Sequence, residues 1–213
     1  EFCHVNHSIP GAVAMRIKTP VGYIVYTGDF KFDQTPLSNP QTDFEVLSDW
    51  GKEGVLALLG DSTNSEREGH SLSERVVAKT LENSFLLTRG RIIIATFSSN
   101  IDRIQQIVNA TRKSGRKMVI TGKSMANTIE IAANLGYIDI PPDTLISIEE
   151  AKNLKPEQIV LLMTGSQGEY RAVLSRVARG EHREIAIIPG DTVYLSSSPI
   201  PGNEKAIGET INL

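Results

Sequence analysis

Residues 91–108 read Arg91-Ile92-Ile93-Ile94-Ala95-Thr96-Phe97-Ser98-Ser99-Asn100-Ile101-Asp102-Arg103-Ile104-Gln105-Gln106-Ile107-Val108. The stretch from Arg91 to Phe97 is a short continuous apolar run, the pattern of a strand buried on both faces. Ser98-Ser99-Asn100 leads into a helix with Ile101, Ile104, Ile107 and Val108 on one face. Strand and helix go on alternating downstream. Lys117–Ile120 predicts the next strand, and Met125–Leu135 the next helix, ended by Gly136. Ile159–Met163 is a further strand, followed by Thr164–Glu169 and a helix through Leu174 and Val177. Short strands are expected at Glu184–Ile188 and Thr192–Leu195. Upstream, Ser71-Leu72-Ser73-Glu74 has capping-box spacing and opens a helix with the stripe Val76, Val77, Leu81 and Phe85. Short apolar strands between amphipathic helices predict an α/β fold with a mainly parallel sheet flanked by helices.

Before residue 71 the rhythm is different. Ala12–Lys18 and Tyr23–Tyr26 read as the arms of a hairpin, with Pro20 and Gly22 at turn positions. A loop with Pro36, Asn39 and Pro40 follows, then a short Phe44–Trp50 segment. Val55–Leu59 reads as a buried strand ending at Gly60-Asp61-Ser62-Thr63-Asn64. The chain therefore divides into 1–70 and 71–213.

The chain has 213 residues, 40% apolar and 22% charged, with a net charge of −3. Those figures fit one domain or two small ones, and exclude a disordered tail, a collagen-like repeat and a disulfide-stapled miniprotein. Cys3 is the lone cysteine, which points to a reducing compartment. No apolar run approaches the ~20 residues that span a bilayer. With no basic-then-apolar leader either, the expected location is cytoplasmic, with no membrane partner. Charge is uneven: residues 1–70 carry −5, 71–120 carry +6 and 121–213 carry −4. The middle block holds Arg75, Lys79, Arg89, Arg91, Arg103, Arg112, Lys113, Arg116 and Lys117. Such a block is the footprint of a polyanion partner or a set of solvated helix faces, and charge alone favours the second.

His4 and His7 bracket a loop before a strand, a context that suits a metal ligand or a hydrogen-bonded surface histidine. Asp29 and Asp61 each follow an apolar strand and a glycine. Either alone reads equally as a turn aspartate, whereas the pair preceded by a loop histidine signals a hydrolytic metal site. Thr121-Gly122-Lys123-Ser124 looks like the end of a phosphate-binding loop, but Lys117 stands where the first glycine is required. A nucleoside triphosphatase is excluded on that ground. Thr164–Glu169 and Ser98-Ser99-Asn100 are anion-binding loops at helix N-termini or tight strand-to-helix turns. Ser196–Glu204 is a rigid polar loop suited to lining a groove. His70 and His182 read as surface residues.

His4-Val5-Asn6-His7-Ser8-Ile9-Pro10-Gly11-Ala12, Tyr26-Thr27-Gly28-Asp29-Phe30-Lys31 and Gly60-Asp61-Ser62-Thr63-Asn64 resemble successive signatures of the ribonuclease J family. That family belongs to the metallo-β-lactamase superfamily, in its β-CASP branch. Ser99-Asn100-Ile101, Arg103–Gln106, Thr164–Glu169 and Ser196–Glu204 extend the resemblance over nearly the whole chain. It implies a partial metallo-β-lactamase domain over 1–70 and a β-CASP domain over 71–213.

The resemblance further implies a zinc-dependent ribonuclease of RNA processing and decay. Such an enzyme hydrolyses RNA phosphodiesters as a 5′-to-3′ exonuclease, an endonuclease or both. His7 corresponds to a zinc ligand, Asp29 to the carboxylate bridging two zinc ions, and Asp61 to an acidic residue orienting groups beside them. Asp29 and Asp61 are thus the catalytic candidates. RNA or phosphate contacts fall on Ser98, Ser99, Asn100, Arg103, Gly165, Ser166, Gln167, Ser197 and Ser198. Asp102 stands where the family pattern has histidine. The motif H-x-H-x-D-H is absent from these residues and is expected before Glu1, with H-V-S-G-H expected after Leu213. The stretch alone is therefore expected to be inactive and to hold no complete zinc pair. A homo-oligomer, dimer or tetramer, is implied by the resemblance alone. Two rival readings are a non-catalytic RNA-binding or assembly module of the same fold, and a metallo-β-lactamase-type hydrolase of another ester.

Overall fold

The computed structural model describes every residue except 38, 39 and 67; Asn39 of the expected loop thus lies outside the described residues. Contacts divide the chain into two compact units, Glu1–Val77 and Ala78–Leu213.

The first unit is built on a four-stranded sheet in the order β1-β2-β3-β4. Its strands are β1 (Phe2–His4), β2 (Val13–Thr19), β3 (Gly22–Tyr26) and β4 (Ala57–Leu59). The expected hairpin forms: β2 and β3 pair antiparallel, with Thr19 opposite Gly22 and only Pro20-Val21 between them. Alternate residues Cys3, Ala14 and Val25 turn inward and pack with Trp50 of α1 (Phe44–Glu53). Arg16 shares that buried side. Its guanidinium pairs with Glu1 and Glu53 and lies 4.4 Å from the centroid of the Tyr23 ring.

β4 pairs in parallel with β3, placing Tyr26 beside Leu59. The expected burial of this strand is corrected. Leu58 and Leu59 are 67% and 52% exposed, because β4 is the sheet edge: even Leu58, which stands beside Val25, lies outside the Cys3–Ala14–Val25–Trp50 cluster. Apolar composition expresses a demand for burial; position in the sheet decides whether it is met.

The second unit carries a wholly parallel sheet in the order β6-β7-β5-β8. These strands are β5 (Ile92–Ala95), β6 (Lys117–Thr121), β7 (Ile159–Met163) and β8 (Thr192–Leu195). Flanking them are α2 (Glu74–Leu87, which begins in the first unit), α3 (Ile101–Lys113), α4 (Lys123–Asn134), α5 (Ile148–Ala151), α6 (Val173–Ala178) and α7 (Glu204–Ile211). Ile93, Ala95, Val119, Leu161 and Met163 pack on Leu174 and Val177 of α6. The alternate set, Ile92, Ile94, Met118, Val160 and Leu162, is fully buried too. Both faces of the central strands β5 and β7 are covered, which is why those two are apolar at every position.

Two local expectations change. α2 begins at Glu74, where the Arg75 amide donates to Ser73 Oγ; Glu74 pairs with Lys31 instead of reaching back to Ser71. Glu184–Ile188 is not a strand. Its backbone groups are taken by side chains: the Ile188 amide donates to Asp191, and the Ala186 carbonyl accepts from Arg91.

The Arg91–Asp191 pair closes the base of this sheet through two parallel bonds of 3.0 and 2.6 Å, with the Asp191 side chain 1% exposed. Beside it, a Cβ on Gly90 would stand 1.9 Å from the Gly190 carbonyl oxygen, so that crossing admits only glycine. Replacing Asp191 with Ala strands the guanidinium and is expected to destabilise the fold by ~3–5 kcal/mol. Urea denaturation checks this: the midpoint falls while the slope is preserved.

Candidate functional site

The loop after β1 and the ends of β3 and β4 build one site in the first unit. Asn6 is fully buried. Its amide donates to Thr42 Oγ1, its side chain donates to the Pro40 carbonyl, and its carbonyl accepts from the Lys31 amide at 2.8 Å. The histidine loop is thereby tied to the Asp29 loop. The parallel pairing of β3 with β4 delivers both strand ends to the same edge. There the Thr27 amide donates to Leu59 O, and the Asp61 amide donates to Thr27 Oγ1 at 2.9 Å. Gly28 makes the turn at φ +60, and a Cβ on it would meet the Val13 carbonyl oxygen at 2.9 Å.

The side chains follow the backbone. His7 Nε2 lies 4.0 Å from Asp29 Oδ2, and the Asp29 carboxylate is 78% exposed. Asp61 accepts from the Thr63 amide at 2.9 Å. The Thr63 amide and hydroxyl hold its carboxyl below the usual range, against a small effect of burial, and the Phe30 amide and the charge of His7 add to this. Asp61 is thus an ionised, fixed carboxylate beside the His7–Asp29 pair. His4 turns elsewhere, to the Pro40 carbonyl at 3.2 Å.

Tetrahedral zinc sets an imidazole nitrogen and a carboxylate oxygen ~3.4 Å apart, so the 4.0 Å His7–Asp29 separation is wider than one shared ion requires, a gap that a small rotation of the exposed Asp29 side chain closes. A catalytic zinc needs about three protein ligands. Among the described residues no group of three or more His, Cys, Asp and Glu is arranged to hold a metal. The pair fits a divalent metal as part of a ligand set.

Asp33 braces the Asp29 loop from behind. Its carboxylate accepts from the Glu74 amide at the start of α2 and from the Thr35 amide. Burial pushes this carboxyl up, but those two amides, the Ser73 hydroxyl and the charge of Lys31 outweigh it and leave the group below its ordinary value. Its stabilising contribution is therefore present above the unfolded carboxyl pKa of ~3.9 and is lost as pH falls through the lower folded value. Asp33→Asn is expected to cost ~1 kcal/mol at neutral pH, as for loss of a helix cap. Denaturation curves taken from pH 7 downward should show that difference constant to about pH 4 and shrinking below it, where the unfolded carboxyl protonates while the native one still holds its charge.

In the second unit, the four parallel strands send their following loops to one edge, where open α/β sheets place ligand sites. Asn100 caps α3, its side chain accepting from the Arg103 amide. Arg103 is buried and donates to Ser196 through both the carbonyl and Oγ, at 3.1 and 2.8 Å. Gln167 is 2% exposed; its side-chain amide donates to Ser197 Oγ and the Ser198 carbonyl, and its oxygen accepts from the Ile200 amide. Ser98 Oγ lies 3.3 Å from Ser124 Oγ. Ser99 and Ser198 are exposed. Ser166 Oγ is buried with no hydrogen-bond partner among the described residues. The structure thus gathers Ser98–Asn100, Arg103, Gly165–Gln167 and Ser197–Ser198 at one edge, where Arg103 and Gln167 hold the loops together.

Two sequence readings shift here. Thr164–Glu169 is not a helix N-terminus, since α6 starts at Val173. Its Gln167 amide donates to the Glu169 carboxylate and its Gly168 amide to the Gly165 carbonyl, so it is the tight turn. His182, expected at the surface, is half-buried, and its Nδ1 accepts from the Glu184 and Ile185 amides. No local pattern marks it; its surroundings arise from packing. The basic block also divides. Arg91, Arg103, Lys113, Arg116 and Lys117 have acceptors within the unit, while Arg75, Lys79, Arg89 and Arg112 are exposed.

A family model described as "Ribonuclease J, beta-CASP domain" matches residues 89–213. The chain belongs to the ribonuclease J family. It is 46% identical to "Ribonuclease J" of Corynebacterium glutamicum over 213 residues, all of this chain and 30% of that protein. It is 42% identical to "Ribonuclease J2" of Bacillus subtilis (strain 168) over 213 residues, again all of this chain and 38% of that protein. "Ribonuclease J" of Thermus thermophilus is 46% identical over 212 residues, 37% of its length. The chain thus spans about a third of the length of these relatives. A protein of unknown function from Enterococcus faecalis V583 shares the fold at TM-score 0.51, with 21% identity, over 76% of this chain and 40% of that one.

Proposed function

We propose that this chain forms part of a zinc-dependent ribonuclease and supplies two of its metal ligands together with RNA-binding loops. The single observation that carries the reading is the approach of His7 and Asp29 to 4.0 Å in a chain of this family. His7 Nε2 and Asp29 Oδ2 would hold zinc, whose ordinary protein ligands are imidazole nitrogen and carboxylate oxygen. When bound, the metal supplies Lewis acidity towards the phosphodiester and its attacking water.

The remaining work falls to the chain itself. Asn6 and Asp33 fix the two ligand-bearing loops from behind. Asp61, held ionised by Thr63, keeps a negative charge beside the ligand pair and orients polar groups there. Exposed Arg75, Lys79, Arg89 and Arg112 attract the RNA backbone without reading sequence. Homo-oligomerisation rests on the family resemblance.

In a protein of the relatives' full length, Asp29→Ala is expected to leave under ~1% of the hydrolytic rate, since even partners behind a metal ligand are worth 10–100-fold. Hydrolysis of a 5′-labelled single-stranded RNA measures it; a rate equal to the unsubstituted protein's removes Asp29 from the metal site. The same protein without stoichiometric zinc and without hydrolysis would be a binding module. Replacing Arg89 and Arg112 with Ala should flatten the log–log salt dependence of RNA binding by ~0.7 per residue, measured by fluorescence anisotropy between 50 and 200 mM salt.

A further inference from the structure

The segment between β7 and α6 ends in a turn that presents two side chains to solvent. The Ala172 amide donates to the Glu169 carbonyl at 2.9 Å, which closes a β-turn with Tyr170 and Arg171 at its two corners. Both residues are exposed, and Tyr170 keeps 69% of its surface in water. The turn belongs to the loop that follows Met163, the last residue of β7. It therefore stands at the sheet edge that also carries the loops at Ser98 and Ser197, the edge where open α/β sheets place their ligands.

The tyrosine is held from behind. The Arg179 guanidinium lies over the Tyr170 ring, 3.9 Å from its centroid. Its Nη2 donates to the Tyr170 carbonyl and to Glu181 Oε2, each at 2.8 Å. With a side chain only 18% exposed, Arg179 is committed to this turn, and a cation over an aromatic face is worth most where water is kept from it. One face of the ring is thus occupied, so the large exposure that remains leaves the opposite face open. The ring is also already fixed, and a partner that stacks on it has little side-chain freedom left to remove.

The surroundings decide what that open face can receive. Protein interfaces set tyrosine in a core depleted of charge, whereas Tyr170 has Glu169 and Arg171 on either side of it in the chain and Arg179 behind its ring. An aromatic face next to an exposed cation matches the alternation of base and phosphate along a nucleic-acid strand. A duplex hides its base faces within the stack, so only an unpaired base can meet the ring. Every base has a π-face, and a contact of this kind therefore tolerates any sequence.

We propose that Tyr170 is a stacking platform for one unpaired base of a single-stranded RNA, with Arg171 on an adjoining phosphate and Arg179 as the positioning residue that fixes the ring. The identity of the strand as RNA rests on the ribonuclease reading above. The platform gives the second unit a hold on a base, where its exposed arginines attract only phosphates.

The test is fluorescence anisotropy of labelled strands with the 213-residue chain, in the presence of a chelator so that no strand is cut. Oligouridylate is compared with an abasic strand of the same length and charge. The chain is expected to prefer the base-bearing strand by ~5-fold or more, the worth of one stacked base. Tyr170→Phe keeps the ring and should keep that preference. Tyr170→Leu, at an exposed position, should abolish it with an unchanged melting temperature. Arg171→Ala should weaken both strands alike, as loss of a phosphate contact does. Arg179→Met should lower the preference in the parent chain and leave it unaltered in the Tyr170→Leu chain, a coupling that a purely structural arginine would not show. In a Tyr170→Trp chain, the emission added by the new indole should be quenched by oligouridylate and not by the abasic strand. Equal affinity for the two strands overturns the proposal, as does a Tyr170→Leu chain that still prefers the base-bearing one or loses affinity for both equally. Binding of neither strand at millimolar concentration overturns it too, and leaves the exposed ring to a protein partner. Hydrolysis and zinc content judge the ribonuclease reading separately, so either can fail while the other stands.

Discussion

Parallel pairing is the constraint on which both units depend. Parallel strands end at the same edge of a sheet, so whatever follows them is gathered there without further design. The register of Tyr26 beside Leu59 brings Thr27–Asp29 next to Gly60-Asp61, although more than thirty residues separate them in the chain. A slip of one residue would turn Leu59 to the other face and carry Asp61 out of reach of Thr27. The four parallel strands of the second unit do the same for the loops at Ser98, Gly165 and Ser197.

Charge in this molecule serves position before it serves recognition. Arg16, Arg91, Arg103 and Arg116 are wholly or largely withdrawn from solvent, each spending its donors on carboxylates or carbonyls of the chain. A guanidinium's planar fork can hold several backbone segments at once, a task for which a lysine ammonium is poorly shaped. Arg103 shows the consequence. Its place in the sequence, beside a polar loop, suggests a ligand contact, yet its donors hold Ser196 and Gln106. Its effect on any ligand passes through the loop it supports.

The parts of the fold legible in the sequence were those with strong local periodicity. The hairpin around Pro20-Val21, the strands at Ile92, Lys117 and Ile159, and the helices at Ile101 and Lys123 all follow from turn chemistry and apolar spacing. The misreadings lie where a neighbour decides. Val55–Leu59 is apolar enough for a core, yet it stands at an edge. Glu184–Ile188 has strand composition, but Asp191 and Arg91 claim its backbone groups. His182 has no motif around it, and only packing against the β6 edge makes its environment.

By itself the sequence determined the chemistry available: the order of strands and helices, the loop histidine, the two strand-end aspartates and the family they mark. Each is a local property, carried by side-chain type and spacing. Tertiary structure alone decided which of these groups meet. It brought His7 to Asp29, turned Arg103 inward, and half-buried the His182 imidazole. The reason is physical: distance and desolvation between residues far apart in the chain are set by sheet register and by what covers each face, and neither is written in any single segment.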